Sequence, residues 1–307
     1  MSHKKVVFMG TPKFSVPILE TIAKSSYKVS CVYTQAPKKS NRGQKLNVSP
    51  VQKCAENLKL IVRTPIKLNT EEEFEFIKKI NPDIVIVVAY GQIISKKFLN
   101  LPKEGFLNIH ASLLPKWRGA APIQRVIMNS DAETGISIMQ ITEELDSGPV
   151  MKQIKIKIND TITAEELSNN LSKIGAENIV ETLDNIFKGK PNFTEQNHKI
   201  ASYAKKIKKS EAKINWCRSA KEILAKINGL NPNPGAWFMY KNTRYKIWKG
   251  SISEKKGLPG KILNNNFIIG CNDKSIEIIE IQKESKNKLL LKDFLIGINF
   301  KQGDLVE

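Results

Sequence analysis

Ile84-Val85-Ile86-Val87-Val88-Ala89 is apolar at every position. Continuous β-branched residues without alternation mark a strand covered on both faces, which is the condition of a parallel sheet packed between helices. Upstream, Lys5-Val6-Val7-Phe8-Met9 is a second apolar run ending at Gly10. Thr11 is placed to cap a helix and Pro12 suits its first turn, so strand–turn–helix is expected there. Val29–Thr34 reads as a third strand, followed by a polar loop from Gln35 to Ser49. Downstream, Leu107-Asn108-Ile109-His110 alternates polar with apolar residues. Gly135–Ile141 and Gln153–Ile158 read as further alternating strands. Thr163 to Phe187 reads as one long helix. Thr163 and Glu166 form a capping box, and Leu167, Leu171, Ile174, Ile179, Leu183 and Ile186 form its apolar stripe. Strands alternating with helices make this an α/β domain with a mostly parallel sheet.

The character changes after Gly189-Lys190-Pro191. A linker over residues 190–207 leads to a short helix, Ser219 to Ile227. Short strand candidates follow at Ala236–Tyr240, Arg244–Trp248, Gly260–Leu263, Phe267–Gly270, Ile276–Ile281 and Leu289–Leu291. Asn231-Pro232-Asn233-Pro234-Gly235 is a loop between them. Several short strands in so small a segment predict a small β-barrel or a sandwich. The expected organisation is an α/β domain over 1–189, a basic linker over 190–207 and a C-terminal domain over 208–307.

Length and composition exclude several classes. A chain of 307 residues buries a core without disulfides or a structural metal. No apolar run reaches 18 residues, and Val6–Met9 is too short for a signal-peptide core. Cys31, Cys54, Cys217 and Cys271 are scattered, which argues against a zinc ribbon or a disulfide framework. The expectation is a reduced, cytoplasmic, metal-free monomer that does not engage a membrane.

The net charge is +19. Residues 1–200 carry a net +8 and residues 201–307 a net +11, so the shorter segment has more than twice the charge density. Eight lysines crowd Lys188 to Lys213. A lysine-biased composition accounts for solvated lysines anywhere, but clustering between two structured regions favours a polyanion footprint.

Of the three histidines, His3 is next to the start and His198 is in the linker. Only His110 ends a core strand, and ligands of parallel α/β sheets collect beyond the carboxyl ends of strands. The two-residue period puts Asn108 on the same face. An amide donor beside an imidazole suits acyl transfer: the amide bonds a developing oxyanion, and the imidazole donates to it or moves a proton. Asp146, after another strand, is a carboxylate able to reach the same crevice and fix the imidazole tautomer. A lone strand-end histidine is more often a satisfied core residue, and a lone aspartate before Ser-Gly-Pro more often a turn former. Their flanks shift that balance: Pro115-Lys116-Trp117-Arg118-Gly119-Ala120-Ala121-Pro122 is a loop of rigid and small residues that permits close backbone approach.

These residues carry a resemblance. Asn108 to Pro115, with Trp117-Arg118-Gly119 and Leu145-Asp146-Ser147-Gly148, resembles the folate-dependent formyltransferases. Phe8-Met9-Gly10-Thr11-Pro12-Lys13-Phe14 resembles the opening of that family's tRNA-directed branch, and Arg42-Gly43-Gln44-Lys45-Leu46 its inserted basic loop. The resemblance covers essentially the whole chain. It implies a Rossmann-like, mostly parallel sheet followed by a small OB-like β-barrel. It implies transfer of the formyl group of 10-formyltetrahydrofolate, as donor substrate and without metal, to the amino group of methionine on initiator tRNA. It gives Asn108, His110 and Asp146 the catalytic roles. Ser112, Leu113, Leu114 and Pro115 match a folate-contacting turn, and Tyr90, Gly91 and Gln92 the region where the pterin docks, largely on backbone groups. For tRNA it points to Arg42 and Lys45, and charge adds Lys205, Lys206, Lys208 and Lys209. Formyltransferases acting on purine precursors or sugar nucleotides share the Asn–His–Asp set. The basic second domain and the Arg42 loop argue against them. A folate deformylase and a non-catalytic RNA-binding protein are the other rivals, the latter leaving Asn108, His110 and Asp146 without purpose.

Overall fold

A computed structural model of the chain describes residues 4–40, 45–296 and 300–307. In chain order, its first strands are β1 (Lys5–Gly10), β2 (Lys28–Tyr33), the short β3 (Lys38–Ser40) and β4 (Lys45–Asn47), and β5 (Val62–Arg63). Next come β6 (Ile84–Val88), β7 (Phe106–His110), β8 (Arg118–Gly119), β9 (Glu133–Gln140) and β10 (Val150–Lys157). The helices are α1 (Val16–Ala23), α2 (Pro50–Asn57), α3 (Glu71–Ile80), α4 (Lys96–Leu99), α5 (Pro122–Met128), α6 (Ala164–Phe187), α7 (Ala220–Gly229) and α8 (Leu291–Phe294). Contacts divide the chain into two compact units, Met1–Gly119 with Gly135–Ile156 and Ser168–Tyr203, and Ala120–Thr134 with Lys157–Leu167 and Ala204–Glu307.

Seven strands form one sheet in the order β10-β9-β7-β6-β1-β2-β5. β1 pairs parallel with β2 and β6, and β6 with β7; β7 pairs antiparallel with β9. All five residues of β6 are buried, as an apolar run covered on both faces requires. Val85 and Val87 join Val7, Met9, Cys31 and Tyr33 in a core under Ile77 of α3 and Phe98 of α4. On the other side, Gly175 of α6 lies close enough to Ile18 of α1 and Ile109 of β7 that an added Cβ would stand 3.2 and 3.3 Å from them. Chain order reverses between β1 and β6, so their carboxyl ends open a crevice where ligands of such sheets bind.

Three local expectations change. Thr11 does not cap a helix. Its hydroxyl donates to the Tyr90 carbonyl at 2.8 Å, tying β1's exit to β6's exit, and a 3-10 turn at Lys13–Ser15 precedes α1. β9 is buried at six successive positions rather than alternating, the pattern of a strand covered on both faces, and it lies inside the sheet between β10 and β7. The polar stretch after β2 contains the antiparallel pair β3 and β4. The capping box at Thr163 and Glu166 forms as read, with bonds of 2.8 and 3.2 Å.

The last strands are β11 (Tyr203–Ala204), β12 (Ala236–Tyr240), β13 (Thr243–Ser253), β14 (Ile268–Gly270), β15 (Ser275–Lys283) and β16 (Leu289–Leu290). In the second unit they run β12-β13-β15-β14, with β16 on β15, all antiparallel. Gly260–Leu263 makes no strand but bridges Ile269 and Leu305, and Glu307 exchanges two backbone bonds with Met239 of β12. The hydrogen-bond path therefore returns to β12, closing a small barrel and removing its open edges. Its interior is aromatic: Phe267 stacks on Phe300 at 3.8 Å, with Phe238 and Tyr245 beside them. Among the described residues no helix is long and apolar enough to cross a membrane.

Candidate active site

β7 delivers the central side chains. Asn108 lies level with Val87 of β6, and His110 comes at the strand's end beside the crevice. His110 is only 6% exposed, whereas Asn108 is half-buried. The Asn108 carboxamide has no hydrogen-bond partner among the described residues, so its N–H groups are free to meet a ligand.

His110 Nε2 lies 3.0 Å from the Trp117 carbonyl oxygen. A carbonyl only accepts, so this contact makes Nε2 the protonated nitrogen and leaves Nδ1 as the one that gains or loses a proton. Nδ1 is 3.7 Å from Asp146 Oδ2. That is too long for a hydrogen bond but within ion-pair reach of a charged ring. Asp146 Oδ2 instead accepts the Gly119 N–H at 2.7 Å. Gly119 has φ +113°, a conformation that glycine adopts without strain, and this turns its N–H toward the carboxylate.

Asp146 reaches His110 by an unexpected route. β9 runs antiparallel to β7, with Gln140 opposite Leu107 and Ser137 opposite His110. The strand thus ends level with the start of β7, and the loop after it folds back to bring Asp146 alongside the imidazole. Asp146 sits at φ +48°, a left-handed conformation that aspartate tolerates better than most residues.

The turn after β7 is held from inside. Ser112 donates its hydroxyl to the Lys116 carbonyl at 2.7 Å and is fully buried, so that hydroxyl serves the turn. Ser137 accepts from the Leu114 N–H and donates to the Ser112 carbonyl, while Gln153 donates to the Leu114 carbonyl. Leu113 is half-buried and Leu114 buried, with Pro115 closing the turn. Gly135 is indispensable beside it: an added Cβ would lie 2.0 Å from the Ile154 carbonyl oxygen and 2.7 Å from Leu113. At the exit of β6, the Tyr90 side chain points into the core, and burial raises its phenol well above the ordinary value. Gln92 spends its carboxamide on the Leu68 N–H and the Pro65 carbonyl. Tyr90, Gly91 and Gln92 can therefore meet a ligand chiefly through backbone groups.

Five contributors have roles that the sequence did not show. The Trp117 carbonyl and Gly119 N–H are backbone groups; the small-residue loop hinted at close approach but not at its targets. The Arg118 side chain, 3% exposed, donates to Gln196 Oε1 through Nε at 3.1 Å and Nη2 at 2.7 Å, and Nη2 also reaches His198 Nδ1 at 3.3 Å. Gln196 and His198 lie in the stretch read as linker. That stretch is instead a strap on the first unit: Thr194 bridges Val150, and Ser202 accepts from the Trp117 N–H through its hydroxyl and the Arg118 N–H through its carbonyl.

Three of the four cysteines are buried. Burial pushes Cys31 and Cys271 up to about 12 and Cys54 up to about 11, so these remain thiols at neutral pH. Arg42 lies outside the described residues. Lys45 opens β4, opposite Ser40, and Lys205, Lys206, Lys208 and Lys209 are exposed in the second unit.

The switch-point crevice of this α/β sheet gathers an amide, an imidazole and a carboxylate, a set suited to acyl transfer, and the chain belongs to the formyl transferase family, whose members are transferases. Residues 4–183 match the model for Formyl transferase, and residues 206–299 match Formyl transferase, C-terminal domain. The chain is similar to the methionyl-tRNA formyltransferase of Pelagibacter ubique (strain HTCC1062), at 52% identity over 99% of this chain and 98% of that one. It is 42% identical to the methionyl-tRNA formyltransferase of Parvibaculum lavamentivorans, over 98% of this chain and 99% of the relative. Among solved structures it shares its fold with WlaRD, a sugar 3N-formyl transferase crystallised with dTDP and 5-N-formyl-THF, at 21% identity and TM-score 0.67, over 94% of this chain and 100% of that chain. HypX from Aquifex aeolicus in complex with tetrahydrofolic acid shares it at 18% identity and TM-score 0.65. All of this chain aligns there, but it spans only 51% of HypX.

Proposed function

We propose that the chain transfers the formyl group of 10-formyltetrahydrofolate to the free amino group of methionine on initiator Met-tRNA, giving formylmethionyl-tRNA for translation initiation. The observation that carries the chemistry is the 3.7 Å approach of His110 Nδ1 to Asp146 Oδ2 beside the unpartnered amide of Asn108. The observation that favours this acceptor is 52% identity to a methionyl-tRNA formyltransferase across both units.

Only a neutral amine attacks the formyl carbon, so the methionyl ammonium first loses a proton to solvent. Attack forms a carbon–nitrogen bond and drives an electron pair onto the formyl oxygen. Asn108 donates to that oxygen; one such preorganised donor contributes about 3 kcal/mol. Nδ1 of His110 takes up the proton released from the attacking amine, and the Asp146 charge stabilises the ring while it is protonated. The intermediate then collapses: the bond from carbon to N10 breaks, and the proton passes from Nδ1, directly or through water, to N10. No bond to the protein forms, in keeping with the buried thiols and the committed Ser112 hydroxyl. The donor contacts the turn of Ser112, Leu113, Leu114 and Pro115 and the backbone of Tyr90, Gly91 and Gln92. Arg42, Lys45, Lys205, Lys206, Lys208 and Lys209 meet the tRNA backbone, whose binding releases counterions.

Transfer of labelled formyl from 10-formyltetrahydrofolate to Met-tRNA tests the reading. Label should appear on methionine attached to tRNA. Free formate as the main product, or transfer to small amines with Met-tRNA inert, would overturn it.

A further inference from the structure

Gln196 lies outside every motif, yet its carboxamide is fully used. Oε1 accepts twice from Arg118, at 3.1 and 2.7 Å. Nε2 donates twice, to the Asp146 carbonyl at 2.9 Å and the Gly148 carbonyl at 2.7 Å. The side chain is 7% exposed, so both lone pairs and both N–H groups are satisfied where water is scarce. Its two sets of partners bracket the site. Arg118 sits between Trp117, whose carbonyl holds His110 Nε2, and Gly119, whose N–H holds Asp146 Oδ2. The other partners are in the loop that carries Asp146. One amide thus joins the segment that fixes the imidazole to the segment that fixes the carboxylate.

The chemistry of the contact set requires an amide. The two carbonyls need a donor, and the guanidinium needs an acceptor. A glutamate would satisfy Arg118 but press oxygen against two carbonyl oxygens. A lysine would satisfy the carbonyls but set one cation against another. Among the described residues no carboxylate pairs with the guanidinium, whose remaining contact is His198 Nδ1. Gln196 Oε1 therefore takes two of the guanidinium's three side-chain contacts, and the two shorter ones.

We infer that Gln196 is a positioning residue: it acts through Asp146, setting the distance between carboxylate and imidazole by tying the Asp146 loop to the Trp117–Gly119 turn. The inference rests on the reading of His110 and Asp146 given above. It also assigns the segment after α6 a role in turnover rather than only in connection. A misplacement of a reacting group by about 1 Å costs on the order of a hundredfold in rate.

The test is steady-state kinetics of Gln196→Glu and Gln196→Met, each alone and combined with Asp146→Asn, with thermal melting to confirm folding. Glutamate keeps an acceptor for Arg118, and methionine keeps the volume, so one stands in where the other fails to fold. The expected result is a kcat lower by about ten- to a hundredfold, with the KM values for folate and Met-tRNA within about twofold. In the Asp146→Asn background the same changes should cost less than about threefold, because residues that act as one unit are not additive. A purely structural role would lower the melting temperature and leave kcat unchanged well below it. Full kcat in a folded Gln196 variant, or an equal fractional loss in both backgrounds, would overturn the inference while leaving an impaired Asp146→Asn, and hence the site reading, intact. Full activity in Asp146→Asn itself would remove both.

Discussion

Asp146→Asn isolates a single charge. Asparagine has the same shape, and its side-chain oxygen still accepts the Gly119 N–H that Asp146 accepts at 2.7 Å. The loop should keep its geometry, and the loss is the negative charge 3.7 Å from His110 Nδ1. The side chains are 7% and 16% exposed, so solvent screens them only in part. At an effective dielectric of about 20, unit charges at this separation attract by about 4 kcal/mol. That attraction exists only while the ring is protonated, which in the proposed reaction is at and after attack. Removing it should therefore raise the energy barrier between bound substrates and intermediate while leaving ground-state binding alone. Each 1.36 kcal/mol is tenfold in rate, so the ceiling is about a thousandfold in kcat. Partial screening and a water recruited beside the amide reduce it, and the expected fall is about thirtyfold to a thousandfold, with each KM within about twofold. Single-turnover formylation at saturating folate and Met-tRNA reads the step directly. A kcat within twofold of the parent chain, in protein that melts normally, would refute the role of the pair.

Gly135→Ala should destabilise the first unit by about 1–3 kcal/mol, because its Cβ meets the Ile154 carbonyl oxygen, a backbone atom with little room to retreat; an unchanged urea midpoint would contradict this. Glu211 is held below the ordinary carboxylate range by its hydrogen bond with Arg125, at 2.7 Å. Its contribution is in place above about pH 4.3 and is lost as pH falls through the lower folded value, so Glu211→Gln should cost about 1 kcal/mol at pH 7 and nothing once the carboxyl is protonated. A difference that persists undiminished in acid would count against the pair. Raising salt from about 50 to 200 mM should weaken Met-tRNA binding and spare folate, and replacing Lys205, Lys206, Lys208 and Lys209 by alanine should flatten that slope. An unaltered slope would clear those lysines of phosphate contact, and Arg42→Ala tests the loop by the same measurement.

The fold was legible where burial dictates residue type. Ile84 to Val88 has no polar residue to offer either face, so a parallel sheet covered by helices was readable from that run alone. The capping box at Thr163 fixed where α6 begins, because a hydroxyl three residues before a glutamate satisfies otherwise unpaired N–H groups. Asn108 and His110 were legible because a two-residue period places them on one face. The partners that hold them were not. The Trp117 carbonyl and Gly119 N–H are backbone groups that nearly all residues possess, and only the folded turn selects which of them faces the imidazole or the carboxylate. Gln196 lies 50 residues beyond Asp146, in a stretch whose lysines give it the composition of a connector. Nor does composition reveal that β9 turns away from the crevice and that its loop must return; direction within a sheet is a property of pairing.

The strap from Thr194 to Ser202 bears on where this protein can be cut. A fragment ending at residue 183, where the match to the first family model stops, would retain Asn108, His110 and Asp146. It would also strip a buried guanidinium of its acceptors and the Trp117–Gly119 turn of its Ser202 anchors. A minimal catalytic piece must therefore run past the end of its sheet and helices, and sequence modules and working units need not share a border.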